Sequence, residues 1–364
     1  MSALNVFRAS ALLALLAFPP TANAGDVSAT FPIPSIDRWM YVFNQSPGLE
    51  TEARIFSPFP YPLGSFDNRD GQFLVAWDTA SAQLPAGLAT NRYRILSASV
   101  TLRISGNNYF QYDPTYDSYL SYAPSPPLQS PPSAIPDADT GRPVEMFMCA
   151  YRASYVAGPT APVGSQVFNQ TSPYATGQSF PSVERRNVFP AQYNPQGTLI
   201  DVSNNVDLGF EARPIAVGQT RTNSDQPNTV ASGAFVPLNT DMIFDIDLGQ
   251  RESLDALRQG LSGGRIELLV TSLALTTQGS AVVPRFYTRQ WEVQNGPDPS
   301  SRTAALNLRV CVGPPADWNC NGTIEVQDIF DFLSDWFAAR GDFNADGATA
   351  VQDIFDFLAA WFAG

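Results

Sequence analysis

The sequence predicts an all-β main domain, a β-sandwich of jelly-roll type, followed by a small all-α domain of two loop–helix repeats. Three observations predict it. Several segments alternate apolar and polar residues with a period of two, the mark of strands with one buried face. The 364 residues include 31 prolines and 25 glycines, with 12% aromatics, a composition that suits many short strands and turns. Residues 317–364 repeat themselves, each copy ending in a run of helical period.

In chain order, residues 1–24 read as a secretory signal. Arg8 supplies the positive start, Ala11–Phe18 (ALLALLAF) the short apolar stretch, and Ala22-Asn23-Ala24 the small-x-small cleavage site before Gly25. The apolar run is too short for the ~20 residues that span a bilayer, so cleavage is expected and no transmembrane segment remains. The β-sandwich is expected over 25–312. Phe73–Trp77 is a continuous apolar run, as in a central strand. Within Arg94–Ile104, Leu96, Ala98, Val100, Leu102 and Ile104 alternate with polar residues. Met242, Phe244, Ile246 and Leu248 alternate in the same way, with Asp245 and Asp247 between them. Ile266–Leu275 and Leu306–Val310 read as further strands. Only Ser253–Gln259 suggests a helix, stopped by Gly260 and Gly263-Gly264. A Tyr- and Pro-rich insert occupies 107–143, with Tyr109, Tyr112, Tyr116, Tyr119 and Tyr122 ahead of prolines at 124–132. These rings offer either a stacking platform for sugars or, more plainly, aromatics packed onto the sandwich. Residues 157–197 and 218–233 read as loops, and 313–316 as a short, stiff linker.

Composition narrows the chemistry. There is no histidine, and all 21 basic residues are arginine. Imidazole-based nucleophile systems, lysine Schiff bases and P-loops are therefore excluded. Net charge is −13, which disfavours nucleic acid as a partner. The charge is uneven: residues 317–364 hold eight Asp, one Glu and one Arg, a net −8, against −6 for 25–316. Of the three cysteines, Cys311 and Cys320 are close in sequence and form the first candidate disulfide, leaving Cys149 as a free buried thiol. The odd count leaves Cys149–Cys311 open.

The tail is the most informative part. Asp317-Trp-Asn-Cys-Asn-Gly-Thr-Ile-Glu-Val-Gln-Asp328 recurs as Asp342-Phe-Asn-Ala-Asp-Gly-Ala-Thr-Ala-Val-Gln-Asp353, and Val326–Leu333 is identical to Val351–Leu358. Ca²⁺ takes six to eight oxygens at about 2.3–2.6 Å, and a twelve-residue loop supplies them from positions 1, 3, 5, 7 and 12, with Gly at 6 for the turn. Loop one would use Asp317, Asn319, Asn321, the Thr323 carbonyl and Asp328, with Glu325 acting through water. Loop two would use Asp342, Asn344, Asp346, the Ala348 carbonyl and Asp353. Two Ca²⁺ ions are expected, with loop two the tighter because it offers more carboxylates. Each following helix has one apolar stripe (Ile329, Phe332, Leu333, Trp336) and a second from Phe330 and Phe337, repeated at 354–362. Two helices bury one stripe together, and the surplus points to a partner.

Two loop–helix repeats with Asp at position twelve resemble the dockerin family, in the form found at the C-termini of secreted planctomycete proteins. The resemblance covers 317–364 and implies two structural Ca²⁺ ions and docking to a cohesin-like or cell-surface protein. Positions 10 and 11 of each loop, where cellulosomal dockerins usually carry Ser-Thr, hold Val326-Gln327 and Val351-Gln352, the candidate partner contacts. In the main region, Ser65–Asp78, Leu84–Leu88 and Arg94–Ile104 are similar in order to DNRLRE-type jelly-roll modules. The leading expectation is a secreted, non-catalytic sandwich attached through a Ca²⁺-dependent dockerin, with polysaccharide as a candidate ligand. The alternatives are a polysaccharide-degrading enzyme using a carboxylate pair from Glu145, Asp201, Asp245, Asp247 or Glu267, and a structural surface or adhesion protein.

Overall fold

A computed structural model of the chain describes residues 25–44, 48–58, 66–122, 137–152, 154–173, 186–276, 282–297, 302–344 and 346–364. The signal-like segment, the proline run at 124–132, Ser65 and part of the 157–197 loop lie outside these residues. The protein is mostly β-sheet, with five helices among the described residues.

Two antiparallel sheets face each other. One has five strands in the order Gly25–Phe31, Ala305–Val312, Tyr93–Arg103, Asp241–Asp245 and Gln219–Arg221. The other runs Leu199–Asp201, Val188–Tyr193, Val144–Tyr151, Arg265–Ser272, Gln72–Asp78 and Ile36–Met40, with Ala216–Val217 beside Val144–Tyr151. One apolar core joins them. Val100, Leu102, Phe244 and Leu306 enter from the first sheet; Phe73, Trp77, Met146 and Leu268 enter from the second. The second sheet is buried on its other face as well, where Ile36, Leu74, Ala76 and Leu269 pack with Tyr155 and Phe168. Burial on both faces explains why Phe73–Trp77 is continuously apolar while the 93–103 strand alternates.

The helix Arg251–Gly263 buries Leu254, Leu257 and Leu261. It ends at Gly264, whose φ of 84° is the left-handed C-cap that favours glycine. Three expectations are corrected. Residues 218–233 are not all loop, because Gln219–Arg221 is a strand beside Asp241–Asp245. Residues 157–197 are not all loop, because Val188–Tyr193 is a strand; Pro190 within it hides the pattern. The helix at 251–263 is not the only one ahead of the tail. Asn205–Leu208 makes one helical turn, and Arg289–Asn295 (RQWEVQN) is helical with the Thr288 hydroxyl accepting from the Gln290 N–H at 3.3 Å. The latter has too few apolar residues to show a stripe. Of the insert tyrosines, Tyr112 and Tyr122 are buried, and Tyr109 packs with its ring 4.8 Å from the Arg285 guanidinium. Tyr116 is 40% exposed and bonds Glu211 at 2.5 Å. The five rings therefore do not make a row of open faces.

Candidate functional site

The tail folds as two copies of one loop and one helix, Val326–Phe337 and Val351–Ala363. Short polar side chains shape each loop by bonding the backbone two to five residues on. In loop one, Asp317 accepts from the Asn321 N–H at 3.1 Å and the Gly322 N–H at 2.9 Å. In loop two, Asp342 accepts from the Asp346 and Gly347 N–H groups at the same 3.1 and 2.9 Å. Asn319 and Asn344 each accept from position five at 3.0 Å. Asn321 and Asp346 each accept from the N–H of position seven, at 2.9 and 3.0 Å. Gly322 and Gly347 sit at φ 91° and 90°, the turn that position six requires.

Position twelve closes each loop from the first turn of the helix. Asp328 and Asp353 have no exposed surface. Asp328 accepts from the N–H groups of Asn319 at 3.0 Å and Glu325 at 2.8 Å. Asp353 accepts from those of Phe343 at 2.9 Å, Asn344 at 3.2 Å and Ala350 at 2.8 Å. The side chains at positions 1, 3, 5 and 12 are thus each tied to the backbone of their own loop. Among the described residues, no backbone N–H reaches the carbonyls of Thr323 or Ala348. Burial raises the Asp342 carboxyl, and the nearby Asp353 and Asp346 charges add to the effect. This donor set is entirely oxygen, mixed carboxylate, amide and carbonyl, and it fits a hard cation of Ca²⁺ type. Glu325 instead accepts from the Asn321 amide at 2.8 Å.

The helices are antiparallel and strapped to each other. The Trp336 indole donates to the Ala350 carbonyl at 2.7 Å, and Trp361 donates to the Glu325 carbonyl at 3.0 Å. Phe332 and Phe357 stack at 4.2 Å between them, with Trp318 edge-on to both. The opposite face stays open in matched pairs. Phe330 and Phe355 are 61% and 62% exposed, Phe337 and Phe362 79% and 78%. Val326 and Val351 continue the same stripe. Gln327 and Gln352 bond Asp331 and Asp356 one turn on, at 2.9 and 2.8 Å. The four phenylalanines are partner-site candidates beyond positions 10 and 11; the second helical stripe was their sequence signal.

The tail sits against the sandwich. Cys311, in the last strand, is bonded to Cys320 of loop one, and Cys149 is unpaired and partly buried. Arg94 lies 4.0 Å from the Trp318 ring, donates to the Trp318 carbonyl and pairs with Asp335 at 3.2 Å. The carboxylates considered for catalysis are each bound up. Buried Glu145 pairs with Arg69, and Glu267 bonds the Tyr151 hydroxyl. Asp201 pairs with Arg152 at 2.7 Å and Asp245 with Arg221 at 2.6 Å. Asp247 accepts from the Gly249 N–H at 2.9 Å. No helix among the described residues is long and apolar enough to cross a membrane. The chain matches no protein-family model, no curated protein and no solved structure.

Proposed function

We propose that residues 317–364 are a Ca²⁺-dependent docking module of dockerin type. It attaches a secreted, non-catalytic β-sandwich of jelly-roll type to a cohesin-like or cell-surface protein. The observation that carries the reading is the match between the two loops. They share one pattern of side chain to backbone bonds, with oxygens at positions 1, 3, 5, 7 and 12. Paired apolar stripes on the outer face supply a surface for a partner. The signal-like residues 1–24 and the Cys311–Cys320 bond support export.

Two Ca²⁺ ions would be held by the oxygens named above. The chain's own contribution is to tie those oxygens to the loop backbone and to couple them to helix starts. Melting of the full chain, followed by the fluorescence of Trp318, Trp336 and Trp361 and by far-UV CD, tests this. EGTA is expected to unfold 313–364 and leave the sandwich folded, because site formation and folding are coupled. A tail that melts identically with and without the chelator overturns the reading.

Polysaccharide is the ligand class proposed for the sandwich. The observation that favours it is a cleft of about 790 Å³ that the sandwich lines with Tyr116, Tyr193, Asp245 and Arg251 and tail loop two with Asp346 and Gly347. A polysaccharide panel that shows neither binding nor turnover would favour a purely structural sandwich.

A further inference from the structure

A second group of acids lies far from the tail in sequence, at the root of the 107–143 insert. Asp113 is 2% exposed. Its Oδ1 accepts from the Thr115 N–H at 2.9 Å and from the Thr115 hydroxyl at 2.8 Å. Its Oδ2 is buried and meets no hydrogen-bond donor among the described residues. A buried carboxylate oxygen without a partner is rare in folded proteins and asks for an explanation.

Oxygens of Asp113, Asp117 and Asp139 all lie within 4.8 Å of one another. Two oxygens on one Ca²⁺, each about 2.3–2.6 Å away, are at most about 5 Å apart. The spacing thus permits one shared ion. Asp113-Pro-Thr-Tyr-Asp117 also places side-chain oxygens at alternate residues, as in the first half of each tail loop. Local positive charge is short. Arg142 pairs with both Asp117 at 2.6 Å and Asp137 at 2.9 Å. It is anchored by the Ser121 hydroxyl at 2.9 Å and carbonyl at 3.0 Å. Among the described residues, one guanidinium therefore serves a group of four carboxylates.

The backbone is built for this approach. Gly141 sits at φ +119°, and a Cβ there would meet the Gln111 carbonyl oxygen at 2.9 Å and the Asp113 Cβ at 3.1 Å. Only glycine lets the 137–141 turn close onto 111–113.

We propose that Asp113, Asp117 and Asp139 form a third cation site, in the sandwich itself, that takes Ca²⁺. The all-carboxylate donor set selects a hard divalent cation. Three carboxylates with one deeply buried suit Ca²⁺ better than Mg²⁺, which keeps most of its waters. The ion would join the two ends of the insert and give the Asp113 Oδ2 its missing partner.

Equilibrium dialysis of the full chain against ⁴⁵Ca²⁺ tests the site. The Asp113→Asn/Asp117→Asn variant is expected to bind one ion fewer per chain than the unsubstituted protein, with its far-UV CD spectrum unchanged. Asp139→Asn, on an exposed residue and so safe for folding, is expected to weaken one ion at least tenfold. Superimposable isotherms for Asp139→Asn and the unsubstituted chain overturn the proposal. The outcome is separable from the tail reading: if the tail binds nothing, the chain takes a single ion, which these substitutions remove.

Discussion

Asp328 and Asp353 show how much one residue does in the tail. Each is buried, bonds the backbone of its own loop, and starts a helix. Asp353 holds three N–H groups and Asp328 two, so Asp353→Ala leaves more donors orphaned. Loss of a helix-start cap alone costs about 0.5–2 kcal/mol, and in a thermal melt of the Ca²⁺-loaded chain Asp353→Ala is expected to lower the tail transition more than Asp328→Ala does. Calorimetry should also find loop two the tighter site, since Asp346 replaces Asn321 at position five. Tighter binding by a chain that keeps only loop one would reject that order. In the sandwich, Asp37 has a different role. Burial pushes its carboxyl up to about 7 from 3.8, against the pull of the Arg289 N–H, the Arg289 guanidinium and Gln170. The folded state thus holds this proton more tightly than the unfolded chain does. Its contribution to stability is full below about pH 4 and is lost as pH rises through 7. The Asp37 carboxyl carbon, followed by NMR, should titrate with a midpoint near 7; a midpoint near 4 would show that Arg289 prevails.

At the scale of elements, two signals were legible: alternation in strands with one wet face, and unbroken apolar runs such as Phe73–Trp77. The 93–103 strand and the 241–245 strand each have one wet face, and their alternation was plain. Val144–Tyr151 and Val188–Tyr193 are covered on both sides and carry no alternation to read. The tail helices were legible because the duplication doubled every signal. What the repeat could not show was which stripe turns inward. Phe332 and Phe357 have no exposed surface, whereas Phe330 and Phe355 are open. Phe332→Ala is therefore expected to cost about 3–5 kcal/mol and unfold the tail. Phe330→Asp should change stability by only about 0.5 kcal/mol or less while weakening capture by a docking partner. A thermal melt and a binding assay on the same two variants separate core from surface. The acids at 113, 117 and 139 were not legible as a group, because Asp139 is distant from Asp113 in sequence and meets it only in the fold.

For the whole molecule, the net charge of −13 describes two bodies poorly. The tail carries most of it, and the sandwich meets the tail with arginine. Arg94 faces Asp335, and Arg258 feels Asp342. Gly347 packs so close to Arg251 that a Cβ there would stand 2.9 Å from the Arg251 Cβ. Residues 313–316 are accordingly held in place rather than swinging: the Gly313 N–H bonds the Arg92 carbonyl at 3.2 Å, and Ala316 is buried in the tail core. Arg94→Ala is expected to speed proteolytic cutting at 313–316 with the sandwich melting temperature unchanged, and an unaltered cutting rate would show that the disulfide alone holds the joint. The crossed tryptophans add a constraint of another kind. Trp361 closes the start of the first helix, and Trp336 closes the start of the second. Neither repeat contains all the atoms that complete it. A single copy would lack the other's indole donor and half of the ring stack. The pair of repeats is therefore the smallest unit that closes its own core.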